Sequence, residues 1–258
     1  MHIILLVVLG FVIGGVVAAT GIGGGVLLMP ALILILHVSP FDAVGTALLF
    51  MCITKIWATL LHWKQATVDF RLAGYLAIGS LPGALIGSEL LRVTHLSLGQ
   101  RMDHLLRIAI AISLILVASL SLVTDFLKNR RSLALGTNPK LEREGLRNAI
   151  WIGLAGGLLV SLTSVGSGSL IIILLLVFCP RPPVILVGTD IFHGLILSSV
   201  AALAHLGIGH TDLRLVGLLV LGSIGGVLLG TRIAVALASV WLRRTLLILA
   251  AAGGAAML

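Results

Sequence analysis

Two short stretches of this chain hold the groups best suited to bind a small negatively charged solute. One is Thr20-Gly21-Ile22-Gly23-Gly24-Gly25, the other Thr163-Ser164-Val165-Gly166-Ser167-Gly168-Ser169. Each interrupts a run of apolar residues and precedes a short apolar segment. A break of this kind leaves the first backbone N–H groups of the next helix without intrahelical partners. Those N–H groups, with the positive end of the helix dipole, favour an anion. Glycine lets the backbone turn and a ligand approach it, and Ser164, Ser167 and Ser169 add hydroxyl donors. The plainer explanation is close helix packing through small residues. Two copies, each before a segment too short to span a bilayer, favour the anion site. A phosphate-cradling P-loop is excluded, because the Gly-Lys-Ser/Thr ending is absent.

Five further side chains could join such a site. Thr46 and Thr189 offer hydroxyls. Lys55 lies inside an apolar segment, where a lysine costs about 2.5–3.5 kcal/mol on insertion scales. It could pair with a substrate anion or snorkel toward the segment's end. Asp190 and His193 also lie inside an apolar segment, three residues apart and so on one helix face. A carboxylate and an imidazole there are candidates for proton coupling. The alternative is an acid complementing an early helical turn beside a packing histidine. Lys55 and Asp190 could also pair with each other.

The two breaks belong to one unit used twice. A gap-free shift of 143 residues places the first on the second. It also matches Gly45-Thr46 to Gly188-Thr189, His62 to His205, Asp69-Phe70-Arg71-Leu72 to Asp212-Leu213-Arg214-Leu215, and Gly79-Ser80 to Gly222-Ser223. Chance hardly matches His, Asp and Arg at one offset in so apolar a chain. The charged site candidates break the symmetry: Ser198 is the counterpart of Lys55, and Ala47 and Phe50 are those of Asp190 and His193.

The elements that must position these residues read as ten apolar segments. The first repeat holds 3–19, 26–36, 40–61, 70–91 and 105–123. The second holds 149–162, 170–178, 183–206, 213–234 and 246–258. Segments 26–36 and 170–178 are too short to cross a ~30 Å core at 1.5 Å per residue, so they read as half-helices or re-entrant pieces. Ser39-Pro40-Phe41-Asp42 reads as a capped helix start. His62-Trp63-Lys64 reads as an interfacial anchor. Glycines 79, 83 and 87, and 222, 226 and 230, read as helix-contact faces. Three long segments plus a short pair cross an odd number of times, which would make the repeats inverted.

Composition sets the class. Of 258 residues, 59% are hydrophobic and 10% charged, against about 25% charged in a soluble domain. Mean hydropathy is +1.22. The chain reads as an all-α polytopic membrane protein: a first repeat over 1–123, a basic cytoplasmic linker over 124–148 and a second repeat over 149–258. The net charge of +8 fits cytoplasmic loops and anionic headgroups rather than nucleic acid. Cys52 and Cys179 are expected to be free thiols. No nucleophile with a base, metal spacing or cofactor fingerprint appears, so neither an enzyme nor a bound metal or cofactor is expected.

The run Gly21-Ile22-Gly23-Gly24-Gly25 through Pro30 and Gly45-Thr46, with Val187-Gly188-Thr189-Asp190-Ile191-Phe192, Ala202-Leu203-Ala204-His205-Leu206, Gly209 and Gly222-Ser223-Ile224-Gly225-Gly226, resembles the TauE/SafE family. The resemblance implies a permease for sulfur-containing anions such as sulfite or organosulfonates. The expectation is a transporter, an exporter by preference, working by alternating access around a midplane anion site. An inside-negative potential favours anion exit by about 2.3 kcal/mol per 100 mV. Its partners would be a small anionic solute, the lipid bilayer of a bacterial or archaeal inner membrane, and protons if Asp190 and His193 titrate. An anion channel and a non-transporting membrane scaffold are the alternatives.

Overall fold

A computed structural model describes residues 2–20, 23–98, 101–131, 139–166, 168–179, 181–207, 211–234 and 240–258. Among them the regular structure is all helical: α1 (His2–Thr20), α2 (Gly25–Pro30), α3 (Pro40–Lys64), α4 (Phe70–Leu98), α5 (Arg101–Arg131), α6 (Pro139–Thr163), α7 (Leu170–Phe178), α8 (Pro183–Leu206), α9 (Leu213–Ala234) and α10 (Val240–Met257). Six of these, α3, α4, α5, α6, α8 and α9, are long and apolar enough to cross a membrane. The large apolar side chains they expose, such as Leu221 at 65% and Leu203 at 70%, would be a liability in water and suit contact with lipid.

The short segments are real and short. α7 has 9 residues, about 14 Å of helix. α2 runs into a π-helical turn at Ala31–Ile35, where the Leu36 N–H reaches back to the Ala31 carbonyl. Pro30 sits at the junction. A proline has no N–H to give and crowds the preceding turn, and the regular α-helix ends at this one. The next helix starts where Ser39 caps it. The Ser39 hydroxyl accepts from the Asp42 N–H at 3.2 Å and donates to the Asp42 carboxylate at 2.7 Å. Asp69 and Asp212 cap α4 and α9 by accepting from the Leu72 and Leu215 N–H groups.

Helices extend well past the apolar segments at three places. α4 continues to Leu98, α5 begins at Arg101 and runs to Arg131, and α6 begins at Pro139. Hydropathy marks where lipid ends. Hydrogen bonding continues into water as long as no breaker intervenes, so much of the expected 124–148 link is helical.

Two glycine seams hold the elements together. On α9, a Cβ at Gly222 would run into the Val7 carbonyl, one at Gly226 into Phe11, and one at Gly230 into Gly15. On α4, a Cβ at Gly79, Gly83 or Gly87 would strike Ile150, Leu154 or Leu158 and Ser161 of α6. Positions climb together in both seams, so α1 lies parallel to α9 and α4 to α6. With no hydrophobic force between helices in lipid, close backbone approach is what supplies the dispersion contact. The partners Gly10, Gly14, Gly153 and Gly157 complete the seams.

The core pair is α3 and α8. Gly45 lies against His205, Cys52 against Ser199, Lys55 against Gly194 and Thr67 against Gly188. One number rises as the other falls, so α3 and α8 are antiparallel. The remaining contacts come in reciprocal sets: α3 with α9 and α4 with α8, α5 with α10, α2 with α10 and α5 with α7.

Candidate functional site

The first break ends α1 and starts α2. The Val26 N–H donates to the Gly23 carbonyl and the Leu27 N–H to that of Gly24, each at 3.1 Å, which tightens the entry into the helix. Gly24 is enclosed by Met51, Ile13 and Val17. Gly21, and the side chain of Thr20, lie outside the described residues.

The second break is built more elaborately. Ser164 closes α6 by donating its N–H to the Val160 carbonyl at 2.7 Å and then adopts φ +57°. A left-handed backbone costs a non-glycine residue about 1–2 kcal/mol. Its counterpart in the first repeat is Gly21, which would meet no such cost. Gly166 and Gly168 follow at φ +114° and +101°. The Thr163 hydroxyl donates to the Leu159 carbonyl at 2.8 Å and accepts the Val165 N–H at 3.2 Å, so Thr163 works as an internal brace. Ser169 precedes α7 without capping it. The Ser164 and Ser169 hydroxyls are buried and have no hydrogen-bond partner. Ser167 lies outside the described residues.

The two breaks touch. A Cβ on Gly25 would run into the Ser164 carbonyl oxygen and stand 3.5 Å from the Val165 Cα. Only the absence of a side chain lets the start of α2 sit on the second break.

Beside them, the α3–α8 crossing gathers the charged candidates. Lys55 is 1% exposed, and Asp190 and His193 are fully buried. The Lys55 ammonium packs so tightly on Gly194 that a Cβ there would collide with it. Met51 is the repeat counterpart of Gly194, so the shrinkage of that position in the second copy makes the space the lysine occupies. Lys55 and Asp190 interact electrostatically. Neither Asp190 carboxylate oxygen has a hydrogen-bond partner. His193 Nε2 lies 2.8 Å from the Ser80 hydroxyl of α4, while its Nδ1 has no partner. The structure thus brings Gly25 onto Ser164 where the two breaks meet, and gathers Lys55, Asp190 and His193 at the α3–α8 crossing. Met51, against which Gly24 packs, stands one helical turn before Lys55 on α3.

Other predicted residues have different surroundings. The Thr46 hydroxyl is buried without a partner. The Thr189 hydroxyl is engaged, accepting the Asp69 N–H at 2.9 Å and donating to the Ile185 carbonyl at 2.6 Å, so it ties α8 to the start of α4. Arg181 reinforces that tie with a 3.1 Å ion pair to Asp69. His62 and His205 are 5% and 1% exposed. His205 Nε2 donates to the Phe41 carbonyl at 3.1 Å, and His62 Nδ1 pairs with the Thr67 hydroxyl at 3.0 Å. The α8 end at His205 is thus covered by Phe41 of the first repeat, whereas His62 is held within its own repeat by Thr67.

Sequence reasoning passed over the residues that support the crossing. Ser80 holds His193, and its repeat counterpart Ser223 accepts from Thr54 at 3.0 Å. Cys52 lies 3.2 Å from Ser199. The matched Gly-Ser pairs at 79–80 and 222–223 carried the signal, but attention to their glycines hid the serines.

The fold is that of a multi-pass helical membrane protein whose crossing helices enclose titratable groups. The chain belongs to the sulfite exporter TauE/SafE family, whose model matches residues 6–257. It is 36% identical over 229 residues to the probable membrane transporter protein YjnA of Bacillus subtilis (strain 168), covering 88% of this chain and 89% of the relative. It is 29% identical over 221 residues to the probable membrane transporter protein YunE of the same organism, covering 82% of this chain and 81% of the relative. No solved structure matches. Family and relatives are membrane transporters, not enzymes.

Proposed function

We propose that this chain carries a small sulfur-containing anion, such as sulfite or an organosulfonate, across the membrane by alternating access. The anion binds where the two Gly/Ser breaks meet. The family's description as sulfite exporters favours outward movement. The observation that carries this reading is the contact of Gly25 with the Ser164 carbonyl beside the buried, unpartnered hydroxyls of Ser164 and Ser169. A hydroxyl buried without a partner is destabilising by about 1–3 kcal/mol, and an oxyanion would remove that cost by accepting from both. Lys55 would balance the charge, and Asp190 and His193 are the candidates for handling a proton.

The molecule is proposed to be organised as 1–123 and 149–258, two inverted repeats joined by the basic 124–148 link on the cytoplasmic side. The antiparallel α3–α8 pair supports inversion, since these are corresponding elements of the two repeats. The reciprocal contacts of α1 with α9 and α4 with α6 fit a two-fold relation between the halves. Inverted repeats give a carrier two similar states, open to opposite sides, by exchanging the conformations of its halves.

The test is flux into proteoliposomes of sulfite, sulfate, thiosulfate and sulfoacetate. Saturable flux of at least one of these, competed by the others according to charge and shape, is expected. Fast, non-saturating flux would point to an anion channel. Absence of flux for all four would refute the proposal.

A further inference from the structure

We infer that Lys55 and Asp190 form an exchange pair, so that one monoanion crosses together with one proton and the carrier moves no net charge. The inference rests on the anion-transport reading above and specifies its stoichiometry.

The argument is one of charge balance in a dry interior. Empty, the crossing holds the Lys55 ammonium against Gly194, one helical turn along α8 from the Asp190 carboxylate, and the two groups act on each other electrostatically. Both side chains are buried, and the pair is neutral as a unit. A buried ion pair is tolerated because each charge compensates the other, and removing one partner strands the other. An arriving anion is drawn to the ammonium. Once bound, it takes over the compensation of Lys55 and leaves Asp190 as a buried carboxylate without a counter-ion.

Among the described residues, Lys55 is the one charged group that acts on Asp190. α3 offers Cys52 beside Lys55. On α8 itself, His193 is held by Ser80. Asp69, at the start of α4, is of like sign and committed to Leu72, Thr189 and Arg181. α7 carries no titratable residue, and neither does α6 beyond Arg147. The two Asp190 oxygens have no hydrogen-bond donor that would hold them charged. A proton from the water that admits the anion therefore adds to one Asp190 oxygen, and no bond of the anion is made or broken. On the far side the anion leaves Lys55, Asp190 releases the proton to water, and the pair re-forms. Loaded and empty carriers are both neutral, so the membrane potential does no work on either. Outward movement then runs on the anion gradient, helped by a proton gradient only when the inside is the more acidic side and opposed by it otherwise.

The test uses the purified full chain in proteoliposomes and labelled isethionate, a sulfonate monoanion that does not itself titrate. A pH difference or a valinomycin-clamped potassium potential is imposed separately. The wild type is expected to accumulate isethionate about tenfold per pH unit toward the alkaline side and to ignore a 100 mV potential. Asp190→Asn, which fixes the uncharged form, is expected to reverse this. It ignores pH and follows the potential, with a limit of about 50-fold per 100 mV. Wild-type accumulation that follows the potential overturns the inference without help from the variant. So does pH-driven accumulation that survives in Asp190→Asn. A wild type that moves neither isethionate nor sulfite under any gradient contradicts the transport reading itself and takes this inference with it.

Discussion

Ser164 shows how much of the site depends on single backbone angles. Its φ of +57° is tolerable for serine, easy for glycine and poor for a β-branched residue. Ser164→Val is therefore expected to lower stability by about 1–3 kcal/mol, read as a fall in melting temperature in detergent. Ser164→Gly relieves the strain but gains unfolded-state entropy of similar size, so its melting temperature should hardly move. The same Ser164→Gly variant loses one hydroxyl donor to the anion. A bond to a charged group contributes about 1.5–3 kcal/mol, so its half-saturating anion concentration should rise about tenfold or more. Unchanged transport kinetics in Ser164→Gly would remove this hydroxyl from the site. At this scale the chain was legible where chemistry is rare: a Lys, an Asp and a His inside apolar segments stand out in any sequence. Gly194 did not stand out, because its meaning comes from the ammonium that fills the space it leaves. Thr189 looked like a ligand because it is repeated. Its hydroxyl is used by α4, a partner 120 positions away in the chain, which no local pattern reveals.

Helices were legible through their apolar periods and their caps. The structure starts α8 at Pro183 and spans α9 over Leu213–Ala234, as the punctuation by proline and Asp212 predicts. Their outer ends were not legible from hydropathy, since α4 and α5 continue as helix through the stretches 92–98 and 124–131. The packing of helices on each other was half legible. The glycines of α4 and α9 announce a contact face without naming the partner, and the partner proved to lie in the opposite repeat. Position within the seam decides the effect of a substitution. On α9, Gly226→Leu must push α1 away from the Phe11 carbonyl, whereas Gly217 has nothing within 4 Å. Gly226→Leu is expected to destabilise by about 3 kcal/mol or more. Gly217→Ala is expected to stabilise by roughly 0.5–1 kcal/mol through helix propensity alone. Melting temperatures of the two variants in the same detergent check the pair. Equal effects would mean that the α1–α9 seam does not hold these helices.

For the whole molecule, duplication was the strongest signal in the sequence, and it anticipated two short segments after two breaks. What one copy of the unit cannot tell is how it meets the other, because that is a property of the assembled pair. The structure answers with α1 on α9, α4 on α6 and α3 antiparallel to α8. Each outer helix of one repeat packs on the other repeat, so neither half would bury its own polar residues alone. That interlocking is why the breaks can meet in the protein interior, where irregular backbone is tolerated at membrane depth. The most direct measurement of the account is sulfite flux by Gly25→Leu in proteoliposomes, beside the wild type. A side chain here must displace the Ser164 backbone. Monodisperse elution and an intact melting transition first establish that the variant is folded. The account predicts that folded Gly25→Leu loses sulfite transport by at least tenfold. Wild-type flux from that protein would contradict the claim that the two breaks together form the site.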